Sequence, residues 1–188
     1  MTSLPPASGR GSGGPGDEAA VAAQLERPLR GEIEVAARCP LGLPVVERVA
    51  PFLADGSPFP TRYWLSCPLA VRRVGRLEAG GGVRSVARYL KAQPQAAERM
   101  HAANARYAAE RDATLDPEAE PRPRGGVAGG SGLGVKCLHA HFADSAAGND
   151  NPVGEIVRPF VEPLNCTIPC VVQGETGWVR NPAWREPK

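Results

Sequence analysis

The chain reads as an α+β fold: a single small domain with a short N-terminal sheet covered by three or four helices. Three observations predict it. Period-two apolar alternation is confined to residues 31–67, and helical spacing follows from residue 69 to 115 and again over 134–147. The 22 glycines and 20 prolines among 188 residues then break the chain into short elements, well above the usual combined share of about 12%. A chain of 188 residues suits one core with loose ends. Residues 1–16 are rich in Pro, Gly and Ser and offer little to bury against the entropy of ordering them, so they are expected as a disordered tail. Residues 17–165 are expected as the globular domain, with a mobile Pro/Arg/Gly linker over 116–133, and residues 166–188 as a C-terminal extension.

Each element has its own signal. Asp17 caps a short Ala-rich helix over Glu18–Leu25, whose acidic first turn suits the helix dipole and whose extent Pro28 limits. In Gly31–Cys39, Ile33, Val35 and Ala37 alternate with polar neighbours as in a half-buried strand, and Cys39 shares their parity. Pro40–Pro44 reads as a turn, Val45–Val49 as a second strand, Pro51–Pro60 as a loop, and Tyr63–Cys67 as a short aromatic strand ended by Pro68. Val71, Val74 and Leu77 then set a helical spacing up to the break at Gly80–Gly82, and Val83, Val86, Ala87 and Leu90 set another. The longest helix follows over 95–115, with Pro94 placed for its first turn. Val135, Leu138, Phe142 and Ala146 predict a last helix over 134–147, stopped by Gly148.

A net charge of only +2 excludes a uniformly basic nucleic-acid binder and gives no general attraction to anionic membranes. Local charge is less even. Arg62, Arg72, Arg73, Arg76, Arg84, Arg88 and Lys91 face a single acid, Glu78, within residues 62–91, with Tyr63, Trp64 and Tyr89 interleaved. That is a candidate surface for RNA or an acidic partner. The plainer account is a solvated helix face balanced by Glu110, Asp112, Asp116, Glu118 and Glu120. No apolar run reaches the length of a membrane span and the start of the chain lacks a signal-peptide pattern, so a cytoplasmic location is expected.

Five cysteines without an export signal suit reduced thiols or metal ligation better than a disulfide framework. Cys39, Cys67, Cys137 and His141 are four N/S donors from three separate elements, matching zinc's tetrahedral preference in a closed, structural site. His139, Cys166 and Cys170 are alternates, and an iron–sulfur cluster is the alternative cofactor. If 134–147 is a helix, Cys137 and His141 lie within about 40° of each other and His139 points the opposite way. If it is a strand, all three share a face. Cys39 and Cys67 can also be read as ordinary buried thiols.

Two catalytic sets can be drawn from the sequence. Cys137 beside Lys136 in a first helical turn favours a thiolate, with His141 as its base but no evident third group to orient the imidazole. Ser131, His139 and Asp144 form a nucleophile set of a kind any chain of this size contains by chance. The glycines of Gly129–Gly134 resemble a phosphate loop only loosely, since no Ser or Thr follows Lys136, and a plain linker accounts for them better.

The motifs Arg38-Cys39-Pro40-Leu41-Gly42-Leu43-Pro44, Pro58-Phe59-Pro60-Thr61-Arg62-Tyr63-Trp64-Leu65-Ser66-Cys67-Pro68, Lys136-Cys137-Leu138-His139-Ala140-His141 and Asn151-Pro152-Val153-Gly154 occur in that order. Together, over about Pro28–Val157, they resemble a bacterial family known as domain of unknown function 501. The resemblance implies a small cytoplasmic protein, common in actinobacteria and often encoded near a septum-formation initiator and an exopolyphosphatase. It implies no activity or cofactor, and only loosely a protein partner in cell division or polyphosphate metabolism. The function expected is a binding or accessory module with a structural metal site.

Overall fold

A computed structural model describes residues 15–187. The tail expected over 1–16 therefore falls, up to residue 14, outside the described residues, and Pro15 already begins helix α1, Pro15–Leu25. Strands β1 (Ile33–Arg38), β2 (Pro44–Val49) and β3 (Tyr63–Leu65) form an antiparallel sheet in sequential order. The cross-strand pairs Val35–Glu47 and Val46–Leu65 fix its register, with a bulge in β1 between Val35 and Ala37.

Strand β2 lies in the middle, and both its faces are covered. On one, Val21 and Leu25 of α1 close over Glu47, Val49 and Trp64 around a cavity of about 100 Å³. On the other, Tyr63 meets the ring of Tyr107 edge-on at 5.9 Å, and the Tyr107 hydroxyl accepts the backbone N–H groups of Arg62 (2.5 Å) and Tyr63 (3.1 Å). A sheet buried on both sides explains why Val45, Val46 and Glu47 are all buried in succession.

After the sheet the chain is largely helical: α2 (Pro68–Ala79), α3 (Gly82–Ala92), α4 (Pro94–Asp112), α5 (Leu138–Ala146) and α6 (Pro152–Val161). The α2–α3 corner turns through Gly81 at φ 85°, a left-handed conformation that favours glycine. The 116–133 segment carries a single 3₁₀ turn, Val127–Gly129, and is anchored to α4: the Asn104 side chain accepts from Val127 N (3.0 Å) and Arg111 donates to the Gly125 carbonyl (2.7 Å).

Three elements lie outside the expected pattern. Helix α6 holds two prolines, but Asn151 caps it by accepting from Val153 N and Gly154 N while Pro152 occupies the first turn, an arrangement that suits proline. Strands β4 (Val171–Gly174) and β5 (Gly177–Arg180) pair as a hairpin against α1. With it, Cys170, Val171 and Trp184 of the expected extension enter the core.

Three arginines tie that C-terminal segment to α2. Arg73 donates to the carbonyls of Val161 and Pro163 (both 2.7 Å) and to the Asn165 side chain. Arg76 pairs with Glu186, and Arg72 lies 4.8 Å from the Trp184 ring centroid. Three of the seven basic residues of 62–91 are thus engaged by the C-terminal segment rather than by the acidic run over 110–120. Arg84, Arg88 and Lys91 remain along one exposed groove of α3, while Arg62 is half-buried behind Val49, and burial lowers its pKa.

Candidate metal centre

Helix α2 turns Leu69, Ala70 and Val74 into the core, and this sets the direction of the residues beside them. Val71 and Glu78 stand seven residues apart, two turns, so they share a face of α2 about 10 Å apart along its axis. Side chains lean toward a helix N-terminus and carbonyls toward its C-terminus. The Glu78 carboxylate and the Val71 carbonyl therefore converge, and the imidazole of His139 fills the space between them.

Its Nδ1 lies 3.2 Å from Glu78 Oε2 and its Nε2 lies 3.1 Å from Val71 O. A carbonyl oxygen only accepts, so Nε2 carries a proton. The other Glu78 oxygen accepts the Leu138 N–H at 2.5 Å and supplies negative charge at the start of α5, whose first turn has none of its own.

Cys137 completes the group. It is the N-cap of α5, extended at φ −153° and ψ 123°, so the helical spacing expected over 134–147 does not apply to it. An extended Cys137 followed by helical Leu138 and His139 brings the thiol beside His139 rather than beside His141. Ligand atoms of Glu78, Cys137 and His139, all half-buried, lie within 4.8 Å of one another, the one such trio among the described residues. These three side chains can hold a metal ion. Burial opposes charge on the His139 ring, but the hydrogen bond and charge of Cys137 and the charge of Glu78 outweigh it and raise its pKa to about 9.

The other expected ligands have different surroundings. His141 is fully buried: its Nδ1 lies 3.2 Å from Asn151 Oδ1, its Nε2 has no hydrogen-bond partner among the described residues, and burial lowers its pKa to about 4. Asn151 also donates to Asp144 (2.8 Å), which accepts from Arg106 (2.6 Å), so two of the sequence motifs meet in one buried polar network. Gly154 makes that meeting possible. A Cβ there would stand 2.3 Å from Ser145 Cβ and 2.5 Å from the His141 carbonyl oxygen.

Cys39 and Cys67 face a second, small cavity, and so do Cys166 and Cys170. Thus Cys39, Cys67, Cys137 and His141 occupy three separate places rather than one shell. The member of the trio that the sequence does not single out is Glu78, whose one distinction there is to be the lone acid in a basic stretch.

Among the described residues no helix is long and apolar enough to cross a membrane. Neither a curated protein nor a solved structure matches the chain. A family model does, over residues 35–159, about two thirds of the chain and all three members of the Glu78–Cys137–His139 group. The chain therefore belongs to the family described as protein of unknown function, DUF501.

Proposed function

We propose that this protein is a metal-binding accessory module that holds a zinc-like divalent ion on Glu78, Cys137 and His139. The observation that carries this reading is the clustering of one carboxylate, one thiol and one imidazole within 4.8 Å. The Val71 carbonyl strengthens it, because a histidine that binds a metal usually donates its other ring N–H to such a group, which fixes the tautomer and the ring plane. Here the Nε2 proton is held by Val71, and Nδ1 is turned to Glu78 as the ligand atom.

Sulfur, nitrogen and oxygen donors together suit zinc. Three protein donors leave one tetrahedral position for water or a group from a partner. The site joins α2 to the start of α5, so an ion there would fasten two helices that the sequence places about 60 residues apart.

A thiol enzyme using Cys137 is the competing reading. It would use His139 as the base, since the Cys137 thiol hydrogen-bonds that ring and Glu78 and Val71 hold the ring in place. Elemental analysis of untagged protein, with zinc competition against a chromogenic chelator, separates the two. The metal reading expects bound zinc whose affinity falls at least about 10-fold in His139→Ala and in Glu78→Gln. Equal zinc content in wild type and in a Cys137→Ser/His139→Ala variant sinks it.

A further inference from the structure

Four of the five cysteines in the chain line a single cavity of about 10 Å³, at the opposite end of α2 from Glu78. They reach it from three parts of the sequence. Cys39 sits in the β1–β2 turn, which is closed by hydrogen bonds from Cys39 N to Leu43 O (3.0 Å) and from Gly42 N to Cys39 O (2.9 Å). Cys67 is the N-cap of α2. Cys166 and Cys170 lie on the stretch between α6 and β4. Leucines, prolines and Trp184 make up the rest of the wall, and Gln24 is its one other polar side chain.

A cavity of this volume admits a single water or ion and no organic ligand. We propose that it is a second metal site, a tetrathiolate of Cys39, Cys67, Cys166 and Cys170 that takes a soft or borderline ion, zinc in the first instance.

Burial raises the Cys67 and Cys170 thiols above their ordinary values, so the thiolates form with the ion rather than before it, and neighbouring donors offset part of that cost. The Leu69 and Ala70 backbone N–H groups at the start of α2 face the Cys67 sulfur. Gln24 donates to Cys170 Sγ at 3.5 Å and is itself held by the Pro44 carbonyl (2.9 Å) and the Ser66 hydroxyl (3.0 Å), so the sulfur is positioned from behind. Four thiolates around a divalent ion leave a net charge of −2, which the positive end of α2 and nearby Arg180 offset. The four sulfurs are not yet within 4.8 Å of one another. Among the described residues no three of these sulfurs come that close, so binding has to draw them together around the cavity they line. No ligand is shared with Glu78–Cys137–His139, so either site can be lost without the other.

Zinc stoichiometry and X-ray absorption on the full chain test this. In Cys137→Ser/His139→Ala, which removes only the first site, one zinc per chain should remain, with sulfur neighbours alone at about 2.3 Å. In Cys166→Ser/Cys170→Ser that zinc is lost while the first site keeps its own. Cobalt titration of the wild type gives the same answer without a variant, through the strong thiolate-to-cobalt charge-transfer bands of a tetrathiolate. The proposal is overturned if Cys137→Ser/His139→Ala holds no zinc, if its zinc has nitrogen or oxygen neighbours, or if the isolated chain carries a Cys166–Cys170 disulfide. Failure of the first site reads differently, as a sulfur-only signal at one zinc per chain in the wild type.

Discussion

Glu47 is a carboxyl group in the middle strand of the sheet, fully buried, with one oxygen hydrogen-bonded and the other without a partner among the described residues. Proton counting gives its state. The Ser66 hydroxyl lies 2.6 Å from Glu47 Oε1 and 3.0 Å from Gln24 Oε1, yet it has one hydrogen for two acceptors. If Glu47 is protonated it donates to Ser66, Ser66 donates to Gln24, and both contacts are satisfied. Burial acts in the same direction, pushing the carboxyl up from 4.5 to about 8. Because the folded-state value is raised, the folded chain keeps its proton between pH 4.5 and about 8 while the unfolded chain releases it. Stability from this group is complete below pH 4.5 and declines up to about 8. The slope is up to about 1.4 kcal/mol per pH unit, or about 3 kcal/mol by pH 7. Glu47→Gln abolishes the titration but adds an amide N–H to an apolar site, at about 1–3 kcal/mol. The variant should therefore be less stable than wild type at pH 5 and more stable at pH 8. Urea unfolding of both proteins at the two pH values reads the difference, in which every other titrating group cancels. A difference that stays constant within about 0.5 kcal/mol between pH 5 and 8 refutes a protonated Glu47.

Three further perturbations follow from contacts elsewhere. Gly154→Ala places a Cβ against the backbone of α5 and should destabilise by about 1–3 kcal/mol or more, a fall in Tm of at least about 2–4 °C by thermal unfolding. Asp144→Ala leaves the Arg106 guanidinium and Asn151 without their buried acceptor and should cost about 3–5 kcal/mol by urea titration, whereas an exposed acid such as Asp116 should change little when replaced. Arg73→Ala removes three hydrogen bonds to the segment after α6; limited proteolysis should then cut between Val161 and Cys170 faster, with the far-ultraviolet circular dichroism of the helices unchanged.

The sheet and helices α2 to α5 were legible because each has a local signal: alternation in 33–38, breaks at Gly80–Gly82, proline at position 94. Helix α6 left a signal that was not used, Asn151 followed by Pro152, and Pro159 near its end argued against a helix. The site was legible only in its residue types. A wheel drawn from Val135 to Ala146 treats Cys137 as helical and pairs it with His141, but the N-cap stands outside the helix and its backbone is extended. The start of α5 thus sits within the one-to-two-residue uncertainty of any helix end, and that margin decides which histidine meets the thiol. Glu78 is a tertiary fact. Nothing in the spacing of 78 and 137 announces that α2 crosses the start of α5. The four remaining cysteines were visible as residues but not as neighbours, since their cavity exists only once the C-terminal hairpin folds back on α1.

The position of the first site gives metal binding a consequence for stability that is separable from any activity. Glu78 comes from the end of α2 and the other two ligands from the start of α5, so unfolding must dismantle the group and release the ion. An ion that binds only the folded chain stabilises it by about 2.7 kcal/mol when its free concentration is 100 times the dissociation constant. For a chain of this length that is a rise in Tm of about 5–10 °C. The measurement belongs in the Cys166→Ser/Cys170→Ser background, where the four-thiol cavity cannot contribute. There, adding zinc should raise Tm, and the further change His139→Ala should abolish the rise. Glu78→Gln keeps an oxygen to accept the Leu138 N–H, so it should lose most of the response to zinc while changing the metal-free Tm less than Glu78→Ala does. An undiminished zinc response in the triple variant Cys166→Ser/Cys170→Ser/His139→Ala would mean that the ion binds elsewhere, and that the closeness of Glu78, Cys137 and His139 reflects an ordinary ion pair capping α5.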